Sequence, residues 1–239
     1  MTKVYLSPSA QPHNAYAGQG TNEQVQCNRI AEYARQALIK NGYEVKKAPE
    51  GQDFPVSIME SNAWCADIHI PIHTNAGGGR GCEEFAWSGS QTNKYVRAVY
   101  SAVGSVTTNP GRGIKTGNHL AEVASTSALC IYIECEFHDD PIIAKWIIDN
   151  VKVLGEAIAR GVCDAEGKPY KPLDGQEKIS PVMPSAPSGQ RLPYRVRRSW
   201  SDTASQIGAF NILDNAINAA KDATPYKVFD ATGKEVRFK

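Results

Sequence analysis

Over its first 164 residues the chain switches repeatedly between apolar runs and apolar positions spaced three or four apart. Val4, Tyr5 and Leu6 predict a short strand over residues 3–7. Thr21 and Gln24 have the spacing of a capping box. Behind them Ile30, Ala34 and Leu38 predict one face of a helix that stops at Asn41-Gly42. Residues 43–47 and the Ile-rich stretch 66–73, with Pro71 near its end, read as further strands. Val96, Val99 and Val103 predict a helix over 94–103, and 129–137 is an apolar strand that ends in carboxylates. Pro141 then opens a long helix carrying Trp146, Ile147, Leu154 and Ile158. This alternation predicts an α/β fold, a twisted and mostly parallel sheet flanked by helices.

The pattern fades over residues 165–190, which hold five Pro and read as a linker. It resumes over 191–239 as a small α+β module. That module opens with Pro193-Tyr194-Arg195-Val196-Arg197-Arg198, followed by a helix near 211–221 and a hairpin of 226–230 with 235–238 across Ala231-Thr232-Gly233. The organisation expected is therefore a domain over 1–164, a linker, and a module over 191–239.

Composition narrows the function classes. The 239 residues carry a net charge of +1, with 41% hydrophobic and 21% charged residues, which excludes intrinsic disorder and a bulk nucleic-acid binder. No apolar run reaches the roughly 18 residues of a membrane span, so no membrane insertion is expected. Charge is uneven: 14 basic against 17 acidic residues before 165, and nine against five after 190. Val4 follows Met1-Thr2-Lys3 with no signal-peptide core between, so synthesis in the cytoplasm without a signal peptide is expected. The six cysteines form no C-x-x-C, which reads as buried free thiols.

Four ligand-type groups fall at strand ends or helix starts: His13, Glu23, His73 and Glu134. In open α/β sheets that is where sites assemble. His69 and His73 are four residues apart on a strand, about 13 Å, too far for two ligands of one ion at about 2.0–2.1 Å each. His69 therefore reads as a structural histidine. Scattered His and Glu are also common as solvated or capping residues, and spacing alone leaves both readings open. Glu23 could simply complement a helix N-terminus. Asp139 and Asp140 before Pro141 read as helix caps, and His119 and His138 as surface or hydrogen-bonded histidines.

Four segments in order resemble the zinc-dependent N-acetylmuramoyl-L-alanine amidases of the amidase 3 group. Ile72-His73-Thr74-Asn75-Ala76 looks like the family's I-H-x-N-A segment. Ile131–Phe137 through Pro141 resembles its apolar strand and E-x-G-F segment. Glu23 matches its metal-binding glutamate, and Ser7-Pro8-Ser9-x-Gln11-x-His13-Asn14 resembles a branch found in endolysins and autolysins of Gram-positive systems. The first histidine falls several residues later than the family's G-H-G-G loop, and Glu136 stands where Gly is usual.

The resemblance implies that His13, Glu23 and His73 hold Zn²⁺ and that Glu134 is the catalytic carboxylate. Asn75 is then expected on the substrate side and Glu136 as a salt-bridge or substrate-side residue, with Glu134 and Glu136 on one strand face. The bond cut would join N-acetylmuramic acid to L-alanine of the stem peptide in a Gram-positive type wall. Arg197, Arg198, Trp200 and Tyr226 are the expected wall-binding residues of a module like those that follow amidase domains in wall lysins, with Trp200 and Phe210 as its core the alternative for those two. A phage-type endolysin, released to the wall from the cytoplasm, fits this picture. A zinc peptidase or deacetylase, or a catalytically silent wall-binding protein, are the alternatives. The oligomeric state is unknown from the sequence.

Overall fold

The computed structural model describes residues 1–109, 111–174, 194–202, 205, 208–210, 217, 220, 225–230 and 232–236. The chain forms two compact units, Met1–Pro184 and Ser185–Lys239. In the first, the elements run β1 (Lys3–Pro8), α1 (Glu23–Lys40), β2 (Glu44–Lys47), α2 (Phe54–Ala63), β3 (Ile68–Asn75), β4 (Glu83–Ala86) and α3 (Lys94–Gly104). They continue as β5 (Ile114–Thr116), α4 (Ala121–Ser125), β6 (Leu129–Cys130), β7 (Tyr132–Phe137), α5 (Pro141–Asp149) and α6 (Val151–Ala165). The sheet order is β2-β1-β3-β7-β4-β5, with β6 also on β3. Every pairing is parallel except β4 with β7, so the α/β, mostly parallel sheet expected from the sequence is the fold observed. Pro71, which has no N–H to give, falls where pairing on β3 passes from β6 to β7.

The two faces of the sheet differ because side chains alternate along each strand. Val4 and Leu6, Ile68, Ile70 and Ile72, and Ile131 and Ile133 form one apolar face, joined to the buried residues of α1, α3, α5 and α6 in a single core. The other face carries Tyr5 and Ser7, His69 and His73, and Tyr132 and Glu134. Parts of it are capped by α2, where Glu60 accepts from Tyr5 Oη at 2.6 Å, and by α4, where Glu122 meets His69.

Local chemistry sets the helix ends. Asn22, not Thr21, caps α1: its side chain accepts from Val25 N at 3.1 Å, while Thr21 accepts from Gln26 Nε2. Gly42, at φ +83°, takes the left-handed conformation just past the C-terminus of α1. The long helix expected after Pro141 is two helices, broken at Asn150, whose backbone leaves the helical region (φ −118°, ψ 17°). Asp140 caps the first of them, accepting from Ile142 N at 2.8 Å. Asp139 does something else: its Oδ2 accepts from Gly77 N and Gly78 N, both at 2.8 Å, and pins the loop after β3.

The stretch read as a linker begins as packed chain. Tyr170 and Leu173 lie against the first core, and Leu173 N donates to Glu156 at 2.6 Å. All six cysteines are free, and five of them are buried. No helix among the described residues is long and apolar enough to cross a membrane.

In the second unit, β8 (Tyr194–Arg197), β9 (Gly208–Phe210), β10 (Lys227–Phe229) and β11 (Glu235–Val236) form an antiparallel sheet ordered β11-β10-β8-β9. The expected hairpin is β10–β11, turned by Asp230, which accepts from Thr232 and Lys234, and by Gly233 at φ +90°. The expected helix over 211–221 lies outside the described residues except for Ile217 and Ala220, which join Val196 and Val228 in a small core.

Helix α6 packs against α1 and α3 through two glycines. A Cβ at Gly155 would lie 2.6 Å from Ile30 O, and one at Gly161 would lie 2.5 Å from Val99 Cα. Neither neighbour is a flexible side-chain tip, so the helices must separate to admit a methyl group. Gly155→Ala and Gly161→Ala are each expected to lower unfolding stability by about 1–3 kcal/mol. Urea denaturation checks this, and a gain in stability for either variant contradicts the close approach.

Candidate active site

Register brings the predicted residues together. His73 on β3 pairs with Glu134 on β7, and Glu134 pairs with Glu83 on β4. These three side chains form one row across the polar face of the sheet. Glu23 reaches the same point as the first residue of α1, where an acidic group also complements the helix dipole. Its Oε1 lies 2.8 Å from His73 Nδ1, and its Oε2 accepts from Asn14 Nδ2 at 2.6 Å. Tyr132 stacks on the His73 ring with centroids 4.6 Å apart and planes 15° apart.

Burial and charge tune these groups. Burial pushes the Glu23 carboxyl up, but the hydrogen bond and charge of His73, together with hydrogen bonds from Asn14 and Ser9, outweigh it and hold Glu23 below the ordinary carboxylate range. Burial pulls His73 down, and its hydrogen bond to Glu23 with the charges of Glu134 and Glu23 reverses that, so His73 is raised. Glu134 is pushed up to about 7 by burial, which with the Glu23 and Glu83 charges outweighs the opposing His73. Its Oε2 is buried with no hydrogen-bond partner. A carboxyl near neutrality with a spare oxygen is suited to exchanging protons at that pH.

A support layer lies behind the pair. Thr74 Oγ1 is 3.0 Å from both Tyr16 Oη and His138 Nδ1, and Tyr16 and His138 stack in parallel. His138 is thus a buried, hydrogen-bonded histidine. His69 is fully buried, stacked on Tyr5 and 3.0 Å from Glu122 Oε1, which Ser7 also meets. It fills the structural role expected of it. His119 is exposed, with its ring edge-on to Phe85.

Glu136 is placed differently from its expected face, and His13 lies in the expected loop without reaching the others. Glu136 does not share the face of Glu134. The β3–β7 register slips so that Asn75, two residues beyond His73, lies opposite Phe137, three residues beyond Glu134. That irregularity turns Glu136 to the far side. There it is fully buried and accepts from Gly81 N, Thr108 N, Thr108 Oγ1 and Phe137 N at 2.6–3.2 Å. His13 sits exposed in the loop after β1, one residue from Asn14, which touches Glu23 through its side chain and accepts from Glu23 N through its backbone. Among the described residues no three His, Cys, Asp or Glu groups converge in a metal-holding arrangement. Glu23 and His73 supply two donors, one oxygen and one nitrogen, and His13 is the imidazole closest in sequence to their hydrogen-bond shell. That donor chemistry suits zinc.

Asn75 donates to Glu83 at 3.2 Å and accepts from Ala76 N. Tyr132 and Glu83 belong to the site and were not singled out in the sequence. Glu83 lies on a four-residue strand with no alternating pattern to reveal it. In the second unit, the Arg197 guanidinium lies 5.1 Å from the Trp200 ring, and that of Arg198 lies 5.4 Å from the Tyr226 ring. Trp200 also packs on Phe229 and against Gly233, so it serves the unit's own packing.

A cleft of about 360 Å³ opens beside His73, lined by Ser9, Gln52, Phe54, His119, Glu122 and Tyr132 among others. A sheet-end site with a carboxyl near neutrality, a buried His–Glu pair and an adjoining cleft is an arrangement suited to acid–base hydrolysis. The N-acetylmuramoyl-L-alanine amidase model of the Amidase 3 family matches residues 10–164, and the chain belongs to that family of peptidoglycan hydrolases. The sporulation-specific N-acetylmuramoyl-L-alanine amidase of Bacillus subtilis (strain 168) is 27% identical over 97% of this chain and 84% of its own length. Among solved structures, the N-acetylmuramoyl-L-alanine amidase of Clostridium difficile 630 superposes with a TM-score of 0.61 at 20% identity, over 70% of this chain and 97% of that one. The catalytic domain of the CD27L endolysin targeting Clostridia Difficile gives 0.58 at 22% identity, over 69% and 98%.

The placement of Glu136 predicts a division between fold and chemistry. Glu136→Gln turns an amide N–H₂ toward backbone donors, so it is expected to cost about 1–3 kcal/mol of stability while the folded protein keeps its turnover number. Loss of turnover with unchanged stability would put Glu136 on the substrate side after all.

Proposed function

We propose that this chain is a zinc-dependent N-acetylmuramoyl-L-alanine amidase in which Glu23, His73 and His13 hold the metal and Glu134 is the catalytic acid–base. The observation that carries the reading is the row His73–Glu134 with Glu23 at 2.8 Å from His73. It places a nitrogen and an oxygen donor beside a carboxyl that has one free buried oxygen. Bound zinc supplies a water acidified toward a pKa of about 7 and polarises the amide carbonyl.

The protein groups do the rest. Glu134, near neutrality, takes a proton from the attacking water and passes it to the nitrogen of the leaving L-alanine. Asn14 steadies the Glu23 carboxylate, and Tyr132, stacked on His73, fixes the plane of its ring. Thr74, Tyr16 and His138 hold the end of β3 in place behind them. The bond broken is the amide between the lactyl group of N-acetylmuramic acid and L-alanine, leaving a carboxylate on the glycan and a free amine on the peptide.

The target in this proposal is a Gram-positive type wall. The Bacillus subtilis relative extends over both units of the chain, which supports a wall-associated role for the second unit, with Arg197, Arg198, Trp200 and Tyr226 as its candidate contacts. The likeness to the CD27L catalytic domain supports the endolysin form of the proposal, in which the chain lyses a host from within.

The test is product analysis on purified walls. The wild type is expected to release new L-alanine amino termini and no new reducing sugar ends. Glu134→Gln is expected to lower the rate by about 10²–10⁴-fold while zinc stays bound. New reducing ends, new D-amino termini, or full turnover by Glu134→Gln would each contradict the reading. Sedimentation with the same walls, with and without residues 185–239, tests the role of the second unit: equal sedimentation contradicts it.

A further inference from the structure

We infer that Arg112 and Lys115 form a carboxylate-binding subsite that selects stem peptides carrying a free α-carboxylate on the residue after L-alanine; the inference rests on the amidase reading above. Glu83 is the starting point. It lies directly across the strand pair from Glu134, and its side chain is only 6% exposed. Its Oε2 takes the Asn75 amide at 3.2 Å. Its Oε1 takes two cations, Arg112 Nε at 3.4 Å and Lys115 Nζ.

One buried carboxylate thus holds two cations, and the trio keeps a net charge of +1. Both cationic side chains remain nearly half exposed, 44% and 47%, so each keeps donors for a ligand. The Arg112 guanidinium also lies 5.2 Å from the centroid of Phe137, the residue that the β3–β7 register slip sets opposite Asn75. A guanidinium laid on a ring and tied through Nε keeps its other N–H groups free in a fixed plane, the form that matches a carboxylate. Glu83 is in this view a positioning residue that fixes the two cations at the rim.

The other side of His73 has a different character. The cleft there is lined by Ser9, Gln52, Phe54, His119 and Tyr132, with the acids Asp53 and Glu122 and, among the described residues, no Lys or Arg. Uncharged hydroxyls and amides over aromatic faces suit a neutral sugar. The scissile amide joins an uncharged glycan to a peptide bearing carboxylates, so the two arms of the substrate match the two sides of the row. Cross-strand neighbours are about 4.5–5.5 Å apart at Cβ, and an extended peptide advances about 3.3–3.6 Å per residue. Cations anchored on Glu83 therefore stand one to two residues along the peptide from the bond at Glu134.

The experiment compares N-acetylmuramoyl-L-alanyl-D-glutamate with its α-amide, N-acetylmuramoyl-L-alanyl-D-isoglutamine, on the 239-residue chain. Wild type is expected to favour the free carboxylate by about tenfold in kcat/KM, through KM. Arg112→Gln and Lys115→Gln are each expected to bring that ratio toward one. Calorimetric binding of the product L-alanyl-D-glutamate, expected to weaken in both variants, reads the subsite without turnover, and thermal unfolding checks that the variants are folded. Equal turnover of both substrates by wild type, or an unchanged ratio in both folded variants, overturns the subsite and leaves the amidase reading standing. Hydrolysis of neither substrate, with no binding of the product, overturns both.

Discussion

The contact between His73 Nδ1 and Glu23 Oε1, 2.8 Å long and buried, joins the carboxyl end of the central strand to the first turn of α1. Two titratable groups taken out of water are costly unless each satisfies the other. Here Asn14 answers the second carboxylate oxygen, and Tyr132 covers the imidazole face. Everything that aligns these partners is global: the β1–β3–β7 register, the packing of α1 on the sheet, and the loop that brings Asn14 back to α1. The site is thus a consequence of how the sheet is ordered, and the small residues on α6 that let α1 and α3 approach closely bear on it indirectly.

The same sheet separates stability from chemistry by its pleat. Isoleucines on β3 and β7 face the helical core, while His69, His73, Tyr132 and Glu134 lie on the opposite face, where His73 and Tyr132 line the cleft. Glu134 and Glu136, two residues apart, would share a face on a regular strand. The slip in β7 gives them different fates, one with a free oxygen beside His73 and the other closed in by four donors.

That slip also marks the limit of what could be read from the sequence. Ile68, Ile70 and Ile72 form so regular an alternation that β3 and the orientation of His73 were legible at once, as were α1 and α3 from their apolar spacing. Glu23 and Glu134 were legible through motifs in order. The irregular register depends on pairing with β3, which no local pattern encodes. Helix α2 was missed because its buried positions are Ser57 and Ser61 while Phe54, Val56 and Met59 point outward, the reverse of the expected periodicity. Glu83 was missed because β4 is four residues long and carries two adjacent acids. His13 was legible as a candidate ligand, but its position relative to Glu23 depends on the loop after β1, whose shape is set by backbone bonds such as Tyr16 N to Thr21 O.

In the proposed site, Glu23 and His73 are two donors of one zinc ion and His13 is the third. Zinc stoichiometry by elemental analysis, on wild type, His73→Ala and His13→Ala purified alike, decides this assignment. One zinc per chain is expected in wild type, with loss of bound zinc in both variants. A wild type that binds no zinc, or a His73→Ala variant that keeps it, would overturn the assignment; zinc retained by His13→Ala alone would move the third ligand elsewhere.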